Sequence, residues 1–170
     1  MLPCGLGVVQ DFETAVTWFR KASEQGHADA KFNLGLSYDL GLGVDQEFET
    51  AVKLYKSSAE QGLVQGQHAI AHKYCRAEGV PQDYSEAAKW FGMVAERGIA
   101  DAQYYLADMY GHGDGVTKNP IISMTWWILA AELGDRRAKR YRGIVAKEMV
   151  PDALLEAERL AREWMKKRGR

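Results

Sequence analysis

The strongest constraint on this 170-residue chain is an echo: GLGVVQDFETAV at residues 5–16 returns as GLGVDQEFETAV at residues 41–52. The interval is 36 residues, and it persists. Gly26, Gly62, Gly98 and Gly134 fall in one column, Glu24, Glu60, Glu96 and Glu132 in another, and Val8, Val44, Val80 and Val116 in a third, each valine preceded by Gly7, Gly43, Gly79 or Gly115. Tyr38, Tyr74 and Tyr110 align, as do Leu34, Ile70 and Leu106. A fixed period of this size is the mark of stacked supersecondary units, none of which can bury its apolar face alone.

Each period holds two helical patterns. In DAKFNLGLSYDLG, Ala30, Leu34 and Tyr38 recur four apart on one helical face, which we term helix A. In EFETAVKLYKSSAEQG, Phe48, Ala51, Val52, Tyr55 and Ala59 form the apolar stripe of helix B. Helix B is expected to end at Gly62 and its equivalents, because a left-handed residue just past a helix costs glycine least. Gly35, Ala71 and Ala107 are small enough to let helix A approach helix B. The aromatic columns Trp18, Trp90, Trp126 and Phe19, Tyr55, Phe91, Trp127 are expected to fill the space between units. No β-type alternation occurs, so the chain reads as all-α.

Composition removes several function classes. With 46% hydrophobic and 26% charged residues and four prolines, the chain is globular rather than disordered. No apolar run approaches the roughly 20 residues of a membrane span, and no basic segment leads into an apolar signal core. Residues 135–170 carry 12 Lys/Arg against 6 Asp/Glu, whereas residues 1–134 carry 10 against 17. A basic end of this kind suits a solvated terminal helix, and nucleic acid is not expected as a partner. Cys4 and Cys75 sit in no framework pattern.

The unit A-x-x-x-L-G-x-x-Y-x-x-G-x-G-V-x-x-D, followed by A-x-x-W-[FY]-x-x-A and E-x-G, resembles the Sel-one-like repeat, a relative of the tetratricopeptide repeat. The resemblance covers residues 5–138. It implies an α/α superhelix, or solenoid, whose A helices line a concave groove. It also implies a protein-interaction scaffold or adaptor rather than an enzyme, with known members serving bacterial signalling, envelope complexes, host interaction and quality-control assemblies. The expected organisation is one repeat domain over 1–170. Residues 5–29 form a partial repeat with helix B only, 30–65, 66–101 and 102–137 form full repeats, and 138–170 form a final helix A and a C-terminal cap.

Two departures carry information. The chain enters at the GLGV turn without a helix A before it. An uncovered stacking face exposes apolar surface, so a segment upstream of Met1 or self-association through that face is expected. Cytoplasmic and periplasmic settings both stay open on this reading. At the other end, Leu154, Leu155, Ala157, Leu160, Ala161 and Trp164 give an otherwise charged helix one apolar face, as a capping helix requires.

Catalytic apparatus is missing from the motif inventory. No G-x-S-x-G, S-x-x-K, H-E-x-x-H or GK[ST] occurs, and the GLGV stretch follows no strand, so its glycines read as turns rather than a phosphate cradle. No cofactor is expected. The analogy with tetratricopeptide repeats points helix A residues into the groove: Phe32, Leu36, Asp39 and Leu40; His68, His72, Cys75 and Arg76; Tyr104, Asp108, Gly111 and His112; Arg140, Ile144, Lys147 and Glu148. Three of the four histidines thus share one surface. His68 and His72 are four apart, a spacing that can hold one metal ion, with Cys75 and Asp108 as further candidates. The same columns hold Phe32 and Leu36 in the neighbouring copy, so a peptide-contacting or packed histidine is the favoured reading. The leading functional reading is an adaptor that binds a protein or peptide. The rivals are a metal-dependent or enzymatic module built on His68, His72, Cys75 and Asp108, and an architectural segment of a larger envelope or secretion protein.

Overall fold

The computed structural model describes residues 11–169, and among them all regular structure is helical. The first GLGV turn, with Cys4, Gly7 and Val8, lies outside the described residues. Helix B recurs as α1 (Phe12–Glu24), α3 (Phe48–Glu60), α5 (Tyr84–Glu96) and α7 (Pro120–Glu132). Helix A recurs as α2 (Ala28–Leu40), α4 (Val64–Arg76), α6 (Ala100–His112) and α8 (Arg136–Val145), and α9 (Pro151–Lys167) ends the chain. The contacts divide the molecule into two compact units, Met1–Gly66 and Gln67–Arg170.

The turns explain why the glycine columns are fixed. Helix B is left through Gly26, Gly62, Gly98 and Gly134, all at φ between 81° and 94°. Helix A is left through Gly41 (φ 68°) and Gly113 (φ 89°), and the third member of that column is Ala77, which takes φ 56° as a non-glycine. The second glycine of the turn is more tightly constrained. Gly43 and Gly115 combine a left-handed φ with a site where a Cβ would collide with backbone atoms of Phe12 and Tyr84 respectively, the first residues of an earlier helix B. Geometry therefore excludes any side chain there twice over.

The start of helix B has its own column. Asp11, Asp83 and Asn119 each accept backbone N–H bonds from the first turn, satisfying donors that the helix itself leaves open. Glu47 occupies the same place and makes no such bond, because its carboxylate stands one methylene too far from the backbone.

In the first unit α2 packs against α1 and α3. Gly35 makes room for Tyr55, whose ring carbons would lie 3.0 Å from a Cβ at that position. Tyr55 is buried, donates to Asp39 Oδ2 at 3.2 Å, and has its hydroxyl pushed well above the usual tyrosine range by burial, with Asp39 adding to the effect. Trp18 differs from the expectation for its column. It is 64% exposed with Lys21 over its ring, whereas Trp90 and Trp126 are buried.

In the second unit α7 is the centre. Every residue from Ser123 to Ala131 is buried, because α6, α8 and α9 all pack on it. This accounts for the run PIISMTWWILAAE, which has no polar face to wet. The cap α9 buries Ala157 and Ala161, and Trp164 sets its ring edge-on to Trp126 at 6.1 Å. Leu155 is not on that face. It is 59% exposed, since it lies a helical step of about 100° from Leu154 and points away from the Ala157–Ala161 stripe.

Candidate functional site

The A helices of the second unit lie side by side and bring together groups distant in sequence. His68 and His72, four apart on α4, present their rings edge-on to each other with centroids 4.7 Å apart. Beneath them lies Phe91 of α5, fully buried, with His72 edge-on to it at 5.0 Å and His68 at 5.8 Å. Tyr105 of α6 stacks on Phe91 at 5.1 Å and meets the edge of His72 at 4.7 Å.

The acid in this cluster is Asp101, in the first turn of α6, where a carboxylate is favoured by the helix N-terminus. Its Oδ2 lies 2.8 Å from Nε2 of His68 and 3.7 Å from Nε2 of His72. Its Oδ1 accepts a bond from Arg137 of α8. The His68 bond first, then His72, hold the Asp101 carboxyl far below the usual carboxylate range, with Arg137 adding to them against the opposing effect of burial. A carboxylate only accepts, so His68 donates from Nε2.

Arg137 is itself fixed. Nη2 also reaches Asp135 Oδ2 at 2.6 Å, and the guanidinium lies 4.1 Å from the centroid of Tyr104. Tyr141 of α8 extends the surface, tilted on Tyr104 at 6.0 Å and stacked on the buried Trp127 at 5.8 Å. The result is a half-exposed strip of imidazole, phenol and guanidinium groups whose rotamers are held by one another.

The residues anticipated from sequence fall in several settings. In the first unit Phe32, Leu36 and Asp39 are half-buried, Phe32 tilted on Tyr55 at 5.6 Å, while Leu40 is exposed. In the second unit Arg76, His112 and Arg140 are exposed, and Tyr104 and Asp108 are half-buried. Asp108 stands with His112, whose Nδ1 is 3.5 Å from Oδ1, and its carboxyl is pushed up by burial, with Asp114 adding to it and His112 opposing. Among the described residues, the ligand-type atoms that converge are those of His68, His72 and Asp101. Cys75 is a free, half-buried thiol whose pKa is raised by burial, which leaves it the poor nucleophile of a structural cysteine. Ile144 is on α8 and exposed, but Lys147 and Glu148 lie beyond it, because α8 ends at Val145.

Asp101, Arg137 and Tyr105 were not anticipated, and Phe91 was anticipated only as a packing aromatic between units. The signal for Asp101 and Arg137 lay in the column Asp29, Gln65, Asp101, Arg137, where the last two copies carry opposite charges one period apart.

The arrangement of tight turns, paired helices and a side-chain-lined A face defines an all-α helical-repeat protein. The chain belongs to the Sel1 repeat family, which matches residues 4–27, 28–63, 64–99 and 100–135. Sel1 repeats generally serve as protein-interaction scaffolds. Among solved structures, the chain is similar to c5321, a protective antigen of uropathogenic Escherichia coli strains displaying an SLR fold, with a TM-score of 0.84 and 30% identity over 96% of this chain. It spans 35% of that antigen. A Sel1 repeat protein from Oxalobacter formigenes gives a TM-score of 0.80 and 33% identity over 94% of this chain and 68% of its own. Cysteine rich protein B of Helicobacter pylori shares the fold at 20% identity, with a TM-score of 0.59 over 81% of this chain and 98% of its own. These likenesses establish the SLR solenoid as the fold class. A comparison with curated proteins gives no match.

Proposed function

We propose that this chain is a non-enzymatic adaptor that binds a protein or peptide through its A-helix faces. The observation that carries the reading is the strip formed by His68, His72, Tyr104, Tyr105, Arg137 and Tyr141. It combines the aromatic and arginine side chains that anchor interfaces with a rigidity that lowers the entropy lost on binding. Arg76, His112 and Arg140 form its charged surround, and Phe32, Leu36 and Asp39 are the corresponding positions of the first unit.

Part of the positive charge of residues 135–170 is held in ion pairs. Arg159 is paired with Glu156 and Glu163, Arg142 with Glu132, Arg162 with Glu158 and Arg168 with Glu96. No helix of the described residues is long and apolar enough to cross a membrane. The exposed Trp18 face supports a second contact, between copies of the chain, that sedimentation at increasing concentration would register as a mass increase abolished by Trp18→Ser.

The test is parallel affinity capture with the wild-type chain, Tyr104→Ala and Arg140→Glu, read by mass spectrometry. A partner retained by the wild type and lost by both variants, at unchanged melting temperature, supports the reading. Partners held equally by all three chains would overturn it.

A further inference from the structure

We propose that His68, His72 and Asp101, which lie on the same strip, form a binding site for one zinc-type divalent cation. Sequence spacing alone does not favour this, because the same columns hold Phe32 and Leu36 one copy earlier. Convergence does. Nε2 of both imidazoles faces a single carboxylate oxygen, at 2.8 and 3.7 Å, and the ligand atoms of the three residues lie within 4.8 Å of one another. Ligands at about 2.0–2.1 Å around a tetrahedral zinc stand about 3.4 Å apart. The two imidazole–carboxylate separations, 2.8 and 3.7 Å, bracket that value, so each needs to change by only about 0.3–0.6 Å to seat an ion.

The surroundings are those of a supported site. Asp101 offers Oδ2 to the imidazoles while Oδ1 is held by Arg137, which is in turn fixed by Asp135 and the face of Tyr104. Outer contacts of this kind orient a ligating carboxylate. Phe91 and Tyr105 wall the imidazoles on the inner side, and the side chains of His68, His72 and Asp101 keep 29%, 19% and 38% exposure, so an ion can enter from solvent. Two nitrogens and one oxygen suit zinc and its neighbours in the first transition row rather than magnesium or calcium. The fourth position is open to water. The ion binds His68 through a bare Nε2, so the ring is then carried as the Nδ1–H tautomer and its hydrogen bond to Asp101 is replaced by the shared ion.

The experiment uses the full chain, stripped with chelator and with its thiols alkylated, titrated with zinc in competition with a chromogenic chelator and separately with cobalt(II). One ion per chain, a tetrahedral cobalt spectrum and a zinc-dependent rise in melting temperature are expected. His72→Gln and Asp101→Asn should each weaken zinc about tenfold or more, Arg137→Gln should weaken it by about the same, and His27→Gln, at the exposed start of α2, should leave it unchanged. Circular dichroism of each variant without metal separates loss of the site from loss of fold. Uptake below one ion per chain, or uptake insensitive to His72→Gln and Asp101→Asn in folded variants, would overturn the assignment.

Discussion

Asp101 and Arg137 occupy the same column of adjacent repeats, 36 residues apart, and meet in a charge-assisted hydrogen bond across α6 and α8. Both side chains are about two-fifths exposed, so water screens much of the attraction. A double-mutant cycle with Asp101→Asn and Arg137→Gln is expected to return a coupling of about 0.5–1 kcal/mol by chemical denaturation. Coupling indistinguishable from zero would show that the pair positions side chains without stabilising the fold.

Ala77 is the one non-glycine among the described residues with positive φ. The left-handed region costs an L-residue roughly 1–2 kcal/mol, part of which glycine returns through its freer unfolded chain. Ala77→Gly is therefore expected to stabilise the protein by about 0.5–1 kcal/mol, whereas Gly41→Ala, at the matching turn, destabilises it by a similar amount. Denaturant midpoints of the two variants check both signs.

Lys73 is buried and donates to Glu78 at 2.7 Å. That bond, chiefly, holds the Glu78 carboxyl below its ordinary value of 4.5. A carboxyl depressed in the folded state contributes stability that is complete above the unfolded value and is lost as pH falls through the folded one. Glu78→Gln should therefore lower the melting temperature near pH 7, and the gap from wild type should shrink below about pH 4.5. Thermal melts across that range test it, and a gap that stays constant into acid would contradict the assignment.

Much of the fold was legible because its determinants are local. The glycine columns at Gly62 and Gly98, the aspartates that open helix B and the apolar face of α9 each follow from backbone geometry within a few residues. The site was legible only in part. His68 and His72 stand out by spacing, but their acid does not. Asp101 lies 33 residues from His68, one turn short of the period, so a search confined to matching columns leads from His72 to Asp108 instead. The offset arises where successive A helices lie against each other, and no local pattern records it. Leu155 misleads for a related reason, since hydrophobicity alone does not say which side of a cap meets α7.

The close approach of Gly115 to the backbone of Tyr84, repeated by Gly43 and Phe12, acts as a ruler. Each turn rests on the first residue of a helix B one copy back, at the same interval in both pairs. An extra residue between them would lift the turn off its seat, and a missing one would drive the chain into it. Length changes are thus admissible only in whole copies, which is why a sequence free to vary at most other positions keeps a period of 36 without a single insertion.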